Sequence, residues 1–457
     1  MDGVDLDLRG GEIHALVGEN GAGKSTLANI AFGSIKPDAG NVEAPGNVGL
    51  VHQHFELIGR LQVWQNVLLG REPRRGWRID TRAARDRVRE LAQFNGLNVD
   101  PDAFVDELPI GVQQRVELLR ELEREPAVLL LDEPTAALAP AEIAGFFATI
   151  VRLAQHGAAI MIVTHKLREV IAYTQRVSVM RHGKIVAHFE TAKTNADEIA
   201  RAMVGGSLPA IAERKAVKPE PRFRMQSVSA GSGTAAIRDI DLEVRSGEIV
   251  GIAGVEGNGQ TALADAIAGM LPYTGTIGVA YDARRKAHPI SSIPQDRHRE
   301  GLVLDWSVVD NVLLGRQRRD VRHHVVIDRE AARADARAIA QRFDLRAASL
   351  DVPVRTLSGG NQQKIVVGRA LLDDPEFVLA YQPTRGIDVG AAALVHSRLI
   401  EARNAGTAIL LISFELDEIL ALADRVLVLY RGAIAGEFAN SAIDRGRIGE
   451  LMAGARA

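Results

Sequence analysis

Short unbroken apolar runs alternate along the chain with longer stretches in which apolar residues recur every three or four positions. AVLLLD at 127–132 and AAIMIVTH at 158–165 are of the first kind. Their length and composition suit strands buried on both faces. STLANIAFG at 25–33 and AEIAGFFATIVRLAQH at 141–156 are of the second kind and predict helices. Such alternation predicts an α/β fold around a largely parallel sheet. The segments 78–95 and 328–344 are charged and amphipathic, and predict a helical subdomain inserted into each half of the chain.

The pattern is written twice. GEIHALVGENGAGKSTL at 11–27 returns as GEIVGIAGVEGNGQTAL at 247–263, and QNVLLGR at 65–71 as DNVLLGR at 310–316. LPIGVQQRVELLREL at 108–122 returns as LSGGNQQKIVVGRAL at 357–371, and RVSVMRHGKI at 176–185 as RVLVLYRGAI at 425–434. The order is kept while the offset drifts only from 236 to 249. Two similar domains in tandem follow, 1–204 and 223–457. Periodicity fades over 205–222, where charge and proline rise, so that stretch reads as a linker.

Composition removes several alternatives. The 457 residues exceed what one core supports. A net charge of −3 gives no global electrostatic case for nucleic acid. The clusters RRGWR at 74–78 and RQRR at 316–319 read as solvated faces. With no cysteine, disulfides and thiolate chemistry are excluded. No uncharged apolar run reaches the roughly 18 residues of a membrane span, and MDGVDLDLRGGE has no signal-peptide pattern. A link to a membrane is therefore expected to run through a partner.

Chemistry concentrates in the first half. GENGAGKST at 18–26 fits the phosphate-binding loop G-x-x-x-x-G-K-[ST] in full. Gly18, Gly21 and Gly23, with Asn20 between, let backbone N–H groups approach phosphates. Lys24 reaches the β/γ oxygens, Ser25 ligates Mg²⁺, and Ser25 and Thr26 lie in the first turn of a helix whose positive end faces the anion. A strand-like run before the loop and a helical run after it raise the match above chance. In PAVLLLDEPTAAL at 126–138 an apolar strand ends in Asp132, placed for the Mg²⁺ shell. Glu133 follows, placed to orient or deprotonate a water. Gln53, after VGLVH, is placed to touch Mg²⁺ or water, and His165, after MIVT, to meet the γ-phosphate. A lone histidine at a strand end is more often structural; its position after the acidic pair favours function. His52 and His54 carry no such context.

The loop, the glutamine, the acidic pair, the histidine and LSGGNQQ at 357–363 together resemble the ATP-binding cassette ATPases, over nearly the whole chain and twice. With QPTRGIDVG at 382–390, the tandem resembles the ATPase subunits of importers for simple sugars and nucleosides. The resemblance implies two tandem P-loop NTPase domains, ATP and Mg²⁺ as cofactors, and a peripheral position on the cytoplasmic face of the membrane. It implies a pair of integral-membrane permease subunits as partners, docked at 54–70 and 296–315, and indirectly an extracytoplasmic solute-binding protein. AYQPTRG at 380–386, LPIGVQQR at 108–115, HQHF at 52–55 and IPQDRHREGLV at 293–303 are similar in wording to the nucleoside branch. The sugar branch is the alternative. A soluble translation factor with paired cassettes fits less well, because two intact sites and a long basic linker are expected there.

In this family each loop faces the other cassette's signature. The resemblance therefore assigns Ser358, Gly359, Gly360 and Gln362 to the intact first loop. The second loop, GVEGNGQTAL at 254–263, keeps Gly254, Gly257, Gly259 and Thr261 but has Gln260 for lysine. Tyr381–Gln382 replace the acidic pair, Phe414 the histidine, and Pro109–Ile110 the opposing serine and glycine. Random decay would not sort every loss onto one site. One hydrolytic and one inert site are expected, the inert one still able to hold nucleotide. Two departures stand out. FRMQSVSAGSGTAA at 223–236, where the family has a first strand and an adenine-stacking aromatic, has no counterpart before MDGVDLDL, so the natural start is expected upstream of Met1. Ala139 stands where an acidic residue is common, whereas Asp388 is kept in the second half.

Overall fold

The structure is a computed structural model that describes residues 1–52, 56–135, 138, 140–206, 212–280, 290–316, 321–322, 326–439, 444–452 and 454. The chain divides into two units, Met1–Leu208 and Pro209–Ala457.

The first unit contains β1 (Ile13–Gly18), β2 (Val48–Val51), β3 (Arg74–Arg75), β4 (Arg78–Ile79), β5 (Val128–Asp132), β6 (Ala159–Val163), β7 (Arg176–Arg181) and β8 (Lys184–Glu190). Its helices are α1 (Lys24–Phe32), α2 (Val63–Val67), α3 (Thr81–Phe94), α4 (Ile110–Leu122), α5 (Pro140–Gln155), α6 (Leu167–Tyr173) and α7 (Ala196–Val204). Six strands form one sheet in the order β2-β5-β6-β1-β7-β8. Every pairing is parallel except β7 with β8. The central strands are apolar throughout because both faces are covered. Phe147 and Ile150 of α5 and Leu118 and Leu119 of α4 share one core cluster. Ala28 of α1 belongs to the cluster on the other face, against which Val4, Leu6 and Leu8 pack. The phosphate loop follows β1 and the acidic pair ends β5, so both lie at the carboxyl edge where such sheets bind ligands.

The second unit repeats this order. It contains β9 (Pro221–Ala230), β10 (Ile237–Arg245), β11 (Ile249–Ala253), β12 (Tyr273–Val279), β13 (Ile290–Ile293), β14 (Val321–Arg322), β15 (Val326–Ile327), β16 (Phe377–Tyr381), β17 (Ala408–Ile412), β18 (Arg425–Tyr430) and β19 (Ala433–Ala439). Its helices are α8 (Gln260–Ile267), α9 (Val308–Leu313), α10 (Arg329–Arg342), α11 (Gly359–Ala370), α12 (Val389–Ala405), α13 (Leu416–Leu422) and α14 (Arg445–Met452). The main sheet runs β13-β16-β17-β11-β18-β19, and a second, antiparallel sheet runs β10-β9-β12. Phe223 of β9 stacks on Phe377 of β16 at 4.0 Å and joins the two sheets. Among the described residues the first unit has no such second sheet; Val4–Leu8, which match Ile240–Val244 of β10, form no strand.

The two charged helices appear as α3 and α10, each N-capped by an aspartate. Asp80 accepts from the Ala83 N–H at 3.1 Å, and Asp328 from the Ala331 N–H at 3.1 Å. The helix expected over 78–95 starts only at Thr81: Arg78 belongs to the hairpin β3–β4, and Trp77 is 81% exposed. The turn residue Gly76 has φ +67°, which lets the hairpin reverse there.

A polar line crosses the first sheet where the second is apolar. His14 Nε2 lies 2.7 Å from Ser178 Oγ, which lies 2.8 Å from His188 Nδ1. At the positions of His14 and Ser178 the second unit carries buried Val250 and Leu427. Burial, with Arg176 nearby, pulls His14 down to about 4, so it stays neutral in the fold while the unfolded chain takes up a proton near 6.5. Stability contributed by the first unit therefore falls as pH drops from 6.5 towards 4, by about 3 kcal/mol from this group. A His14→Val variant is expected to lose about 3 kcal/mol less over that interval. Urea unfolding of the two chains at pH 7 and pH 4.5 measures it, and equal losses would refute it.

Candidate functional site

The first loop folds around its lysine. Gly21 and Gly23 have φ of +80° and +105°, which side chains resist, and a Cβ on Gly18 would collide with the Met180 carbonyl oxygen. Lys24 opens α1 yet is only 7% exposed. Its Nζ donates to the carbonyls of Gly18 at 2.8 Å and Glu19 at 3.0 Å. Burial pulls this ammonium below the ordinary lysine range, while Glu133, Asp132 and Glu19 favour its charge. Asn20, Gly21, Ser25 and Thr26 are exposed at the mouth of the loop.

The strand end supplies the carboxylates. Burial pushes Asp132 up from its ordinary range, opposed by a hydrogen bond from Ser25. Glu133 adopts φ +47°, with its N–H donating to the Val163 carbonyl at 2.8 Å. This left-handed turn carries its side chain to His165, whose Nδ1 lies 3.1 Å from Glu133 Oε1. That bond holds the Glu133 carboxyl below its ordinary range. The structure thus brings Lys24, Ser25, Asp132, Glu133 and His165 together at one sheet edge. Gln53 lies outside the described residues, as do His54 and Ala139. The donor set fits a nucleoside triphosphate with Mg²⁺: a glycine cradle at a helix start, a buried ammonium, and a hydroxyl beside a carboxylate.

The second loop has the same backbone and no buried charge. Gly257 and Gly259 have φ of +90° and +108°, and a Cβ on Gly254 would collide with Gln260 Nε2. Gln260 is 1% exposed. Its Nε2 donates to the Val255 carbonyl at 3.1 Å, and its Oε1 accepts from the Asn258 N–H at 3.1 Å. One N–H of the cradle is therefore already spent. Thr261 Oγ1 and the Tyr381 hydroxyl lie 3.0 Å apart, a neutral pair where the first unit sets Ser25 against Asp132. Gln382 copies the Glu133 backbone at φ +52°, but its buried Nε2 has no hydrogen-bond partner. Phe414 packs edge-on against Tyr381 at 6.3 Å. These residues do not fit a divalent cation.

The signature residues Ser358, Gly359 and Gly360 open α11. Ser358 is the N-cap, and a Cβ on Gly360 would lie 3.0 Å from Asp388 Oδ2. Gln362 lies one turn further along the helix. Its amide is buried, donating to the carbonyls of Val354 at 3.1 Å and Leu357 at 3.2 Å, with Oε1 2.7 Å from His298 Nε2. It faces the interior because it lies one turn into the helix, on the side that packs on 297–301. In the first unit Pro109 caps α4 without a side-chain bond, and Ile110 is exposed.

Three supporting groups were not singled out in the sequence. Glu19 is the third carboxylate near Lys24. Thr135 Oγ1 donates to Glu169 at 2.7 Å, and Thr384 Oγ1 donates to Glu418 at 2.6 Å. The recurrence of both pairs at one offset was the available signal.

Comparison with known proteins gives the context. A family model described as ABC transporter matches residues 1–136 and 237–385. The nucleoside import ATP-binding protein NupA of Lactococcus lactis is 39% identical, over 99% of this chain and 95% of its own. The glucose import ATP-binding protein TsgD13 of Haloferax volcanii is also 39% identical, over 99% of this chain and 92% of its own. Relatives with nucleoside and sugar names are thus equally similar, and the nucleoside wording is not separated from the sugar wording. A solved archaeal ribosome recycling factor, aABCE1, aligns with a TM-score of 0.68 at 18% identity, covering 95% of this chain and 87% of that one. At that identity it shows a shared fold. Among the described residues no helix is long and apolar enough to cross a membrane.

The uncharged interior of the second loop makes a testable demand. Gln260→Lys buries an ammonium where Val255, Tyr381 and Gln382 offer no carboxylate. It is expected to destabilise the second unit by about 3 kcal/mol, measured by chemical unfolding without nucleotide. Adding Tyr381→Asp and Gln382→Glu should recover part of the loss. An unchanged midpoint for the single variant would contradict the charge argument.

Proposed function

The chain belongs to the ABC transporter family, and from that premise we propose that it is the ATP-hydrolysing, energy-coupling subunit of an importer, with hydrolysis confined to the first loop and nucleosides as the solute class. The observation that carries the assignment of hydrolysis is the charge set. Lys24 has Glu19, Asp132 and Glu133 around it, whereas the matching Gln260 has Val255, Tyr381 and Gln382.

ATP supplies the transferable γ-phosphoryl group, and Ser25, Gln53 and Asp132 are the residues that would hold its Mg²⁺. The loop N–H groups of 18–26 bind and orient the phosphates, and Lys24 exchanges its two carbonyl partners for phosphate oxygens. Glu133, held ionised by His165, accepts the proton of the attacking water. His165 keeps that carboxylate in place. Ser358, Gly359 and Gly360 are assigned to the γ-phosphate of this loop, an assignment that rests on the family pattern. Gly254, Gly257, Gly259 and Thr261 retain a cradle without a catalytic base or lysine.

Partners follow from the same reading: a pair of integral-membrane permease subunits, and through them an extracytoplasmic solute-binding protein. The chain then lies at the cytoplasmic face of the membrane. The nucleoside class rests on wording such as HQHF at 52–55 and AYQPTRG at 380–386; simple sugars are the second reading, supported by the glucose-named relative.

Loss of a positioned general base costs about 10²–10⁴-fold. Glu133→Gln is therefore expected to lower ATP turnover of the purified chain by that factor, and adding Gln260→Lys should not restore it. Restoration would move hydrolysis to the second loop. Uptake of labelled guanosine and ribose, in cells expressing the chain with its permease and solute-binding protein, tests the solute. Guanosine uptake lost in Glu133→Gln is the expected result. Ribose uptake in its place would overturn the nucleoside class and keep the importer.

A further inference from the structure

The two halves differ in length just after Gln53 and Gln295. Two matched contacts fix the register beyond that point. Arg120 donates to the Glu56 carbonyl at 2.6 Å, and Arg369 to the Gly301 carbonyl at 2.7 Å. Asn66 accepts from the Ile58 N–H, and Asn311 from the Val303 N–H. Glu56 thus matches Gly301, so His54 and Phe55 stand where the second half has the five residues 296–300. The longer segment folds as one π-helical turn over 297–301, capped by Asp296, which accepts from the His298 N–H at 2.9 Å and the Arg299 N–H at 3.2 Å. Single turns of this kind are frequent at functional sites. Among the described residues the first unit has none.

The extra residues spend their side chains on the signature. His298 Nε2 meets Gln362 of α11 at 2.7 Å. Arg297 reaches further. Its Nη1 donates to the Arg385 carbonyl at 2.9 Å, and its Nη2 lies 3.5 Å from the Gly386 carbonyl. A Cβ on Gly359 would lie 2.8 Å from the same Nη2. The guanidinium is therefore wedged between a signature glycine and the turn that leads from β16 into α12. That turn ends in Asp388, which caps α12 and lies against Gly360. Burial pulls Arg297 below the ordinary arginine range, opposed by Asp296, and its Nε is buried without a hydrogen-bond partner. Such a group costs stability; what it secures is a fixed relation between the turn and the signature. The first half, whose signature carries Pro109 and Ile110, has Phe55 in the shorter segment and Ala136 and Ala137 at the turn. The wedge thus accompanies the intact signature.

We propose that Arg297 is a positioning residue for ATP hydrolysis at the first loop: wedged between Gly359 and the turn at 385–386, it fixes the direction in which Ser358, Gly359 and Gly360 present their donors to the γ-phosphate. The proposal rests on the assignment of this signature to the first loop and adds the group that holds it. Arg297 acts through the signature and need not touch the nucleotide. The longer segment belongs to the second half because only there is a signature kept for hydrolysis.

Steady-state ATP turnover of the full-length purified chain tests this, with Glu133→Gln as the floor. Ser358→Ala tests the assignment beneath it and is expected to lower kcat by about 10²-fold, the loss typical of one transition-state donor. An unchanged kcat there would overturn the signature assignment, and the proposal with it. Given that loss, Arg297→Ala is expected to lower kcat by about 10–10²-fold, the range for a reacting geometry displaced by an ångström or less. KM for ATP should stay as in wild type, because the first loop still holds the phosphates. Arg297→Lys, which can still donate to the Arg385 carbonyl, should recover most of the loss. In the Ser358→Ala chain, Arg297→Ala should have little further effect, since both act through one element. Thermal melts establish that each variant is folded, and Arg297→Gln, closer in size, carries the same test if the alanine variant unfolds. A wild-type kcat in the folded variant would overturn the proposal, as would the full Arg297 loss repeated in the Ser358→Ala chain.

Discussion

The buried ammonium of Lys24 sets the terms for the residues around it. A charge so far from water is tolerated only where opposite charge and hydrogen bonds replace the lost solvent. Here the loop carbonyls of Gly18 and Glu19 supply the bonds, and Glu19, Asp132 and Glu133 supply the charge. The second loop solves the same packing problem with no buried charge. Gln260 spans the cradle with one donated and one accepted bond, Tyr381 meets Thr261 as a neutral pair, and Val255 and Gln382 take the remaining places. The new carboxylate of that loop, Glu256, is exposed. Losses that look independent in the sequence are therefore one change: once the lysine is gone, buried carboxylates beside it become a cost.

Both sites rest on the same scaffold. The strand order places the loop after the central strand and the acidic pair two strands away at one edge, in each unit. The left-handed turn at Glu133 recurs at Gln382, and each N–H there finds the end of the neighbouring strand, at Val163 and Ile412. Backbone geometry is thus shared between the halves while side-chain chemistry diverges. The same contrast recurs on α4 and α11, where buried Glu117 and Glu121 on one helix match Val366 and Ala370 on the other.

Much of this was legible in the sequence. The repeat, the alternation of apolar runs and the phosphate-loop motif led to the tandem α/β architecture, because each rests on periodicity or on a spacing that only one backbone serves. The charged helices were legible for the same reason. What was not legible depended on contacts between distant segments. Asn66 and Asn311 sit inside short helices and each clamps the preceding loop, accepting from Ile58 and Val303 N–H groups at 2.8 Å; their recurrence in QNVLLGR and DNVLLGR marks the repeat but not what each side chain bonds. Gln362 belongs to a recognisable motif, yet the structure spends its amide inside the domain, since the motif records residue type and not the side of the helix that packs. Glu19 lies inside the loop motif at a variable position, and its role appears only once Lys24 is seen to be buried.

Counting trapped nucleotide tests the central claim most directly. The purified chain is allowed to turn over Mg·ATP with vanadate, and the ADP retained after gel filtration is measured per chain. One ADP per chain, abolished by Lys24→Ala, is the predicted result. Two per chain, or one that survives Lys24→Ala, would contradict hydrolysis confined to the charged loop.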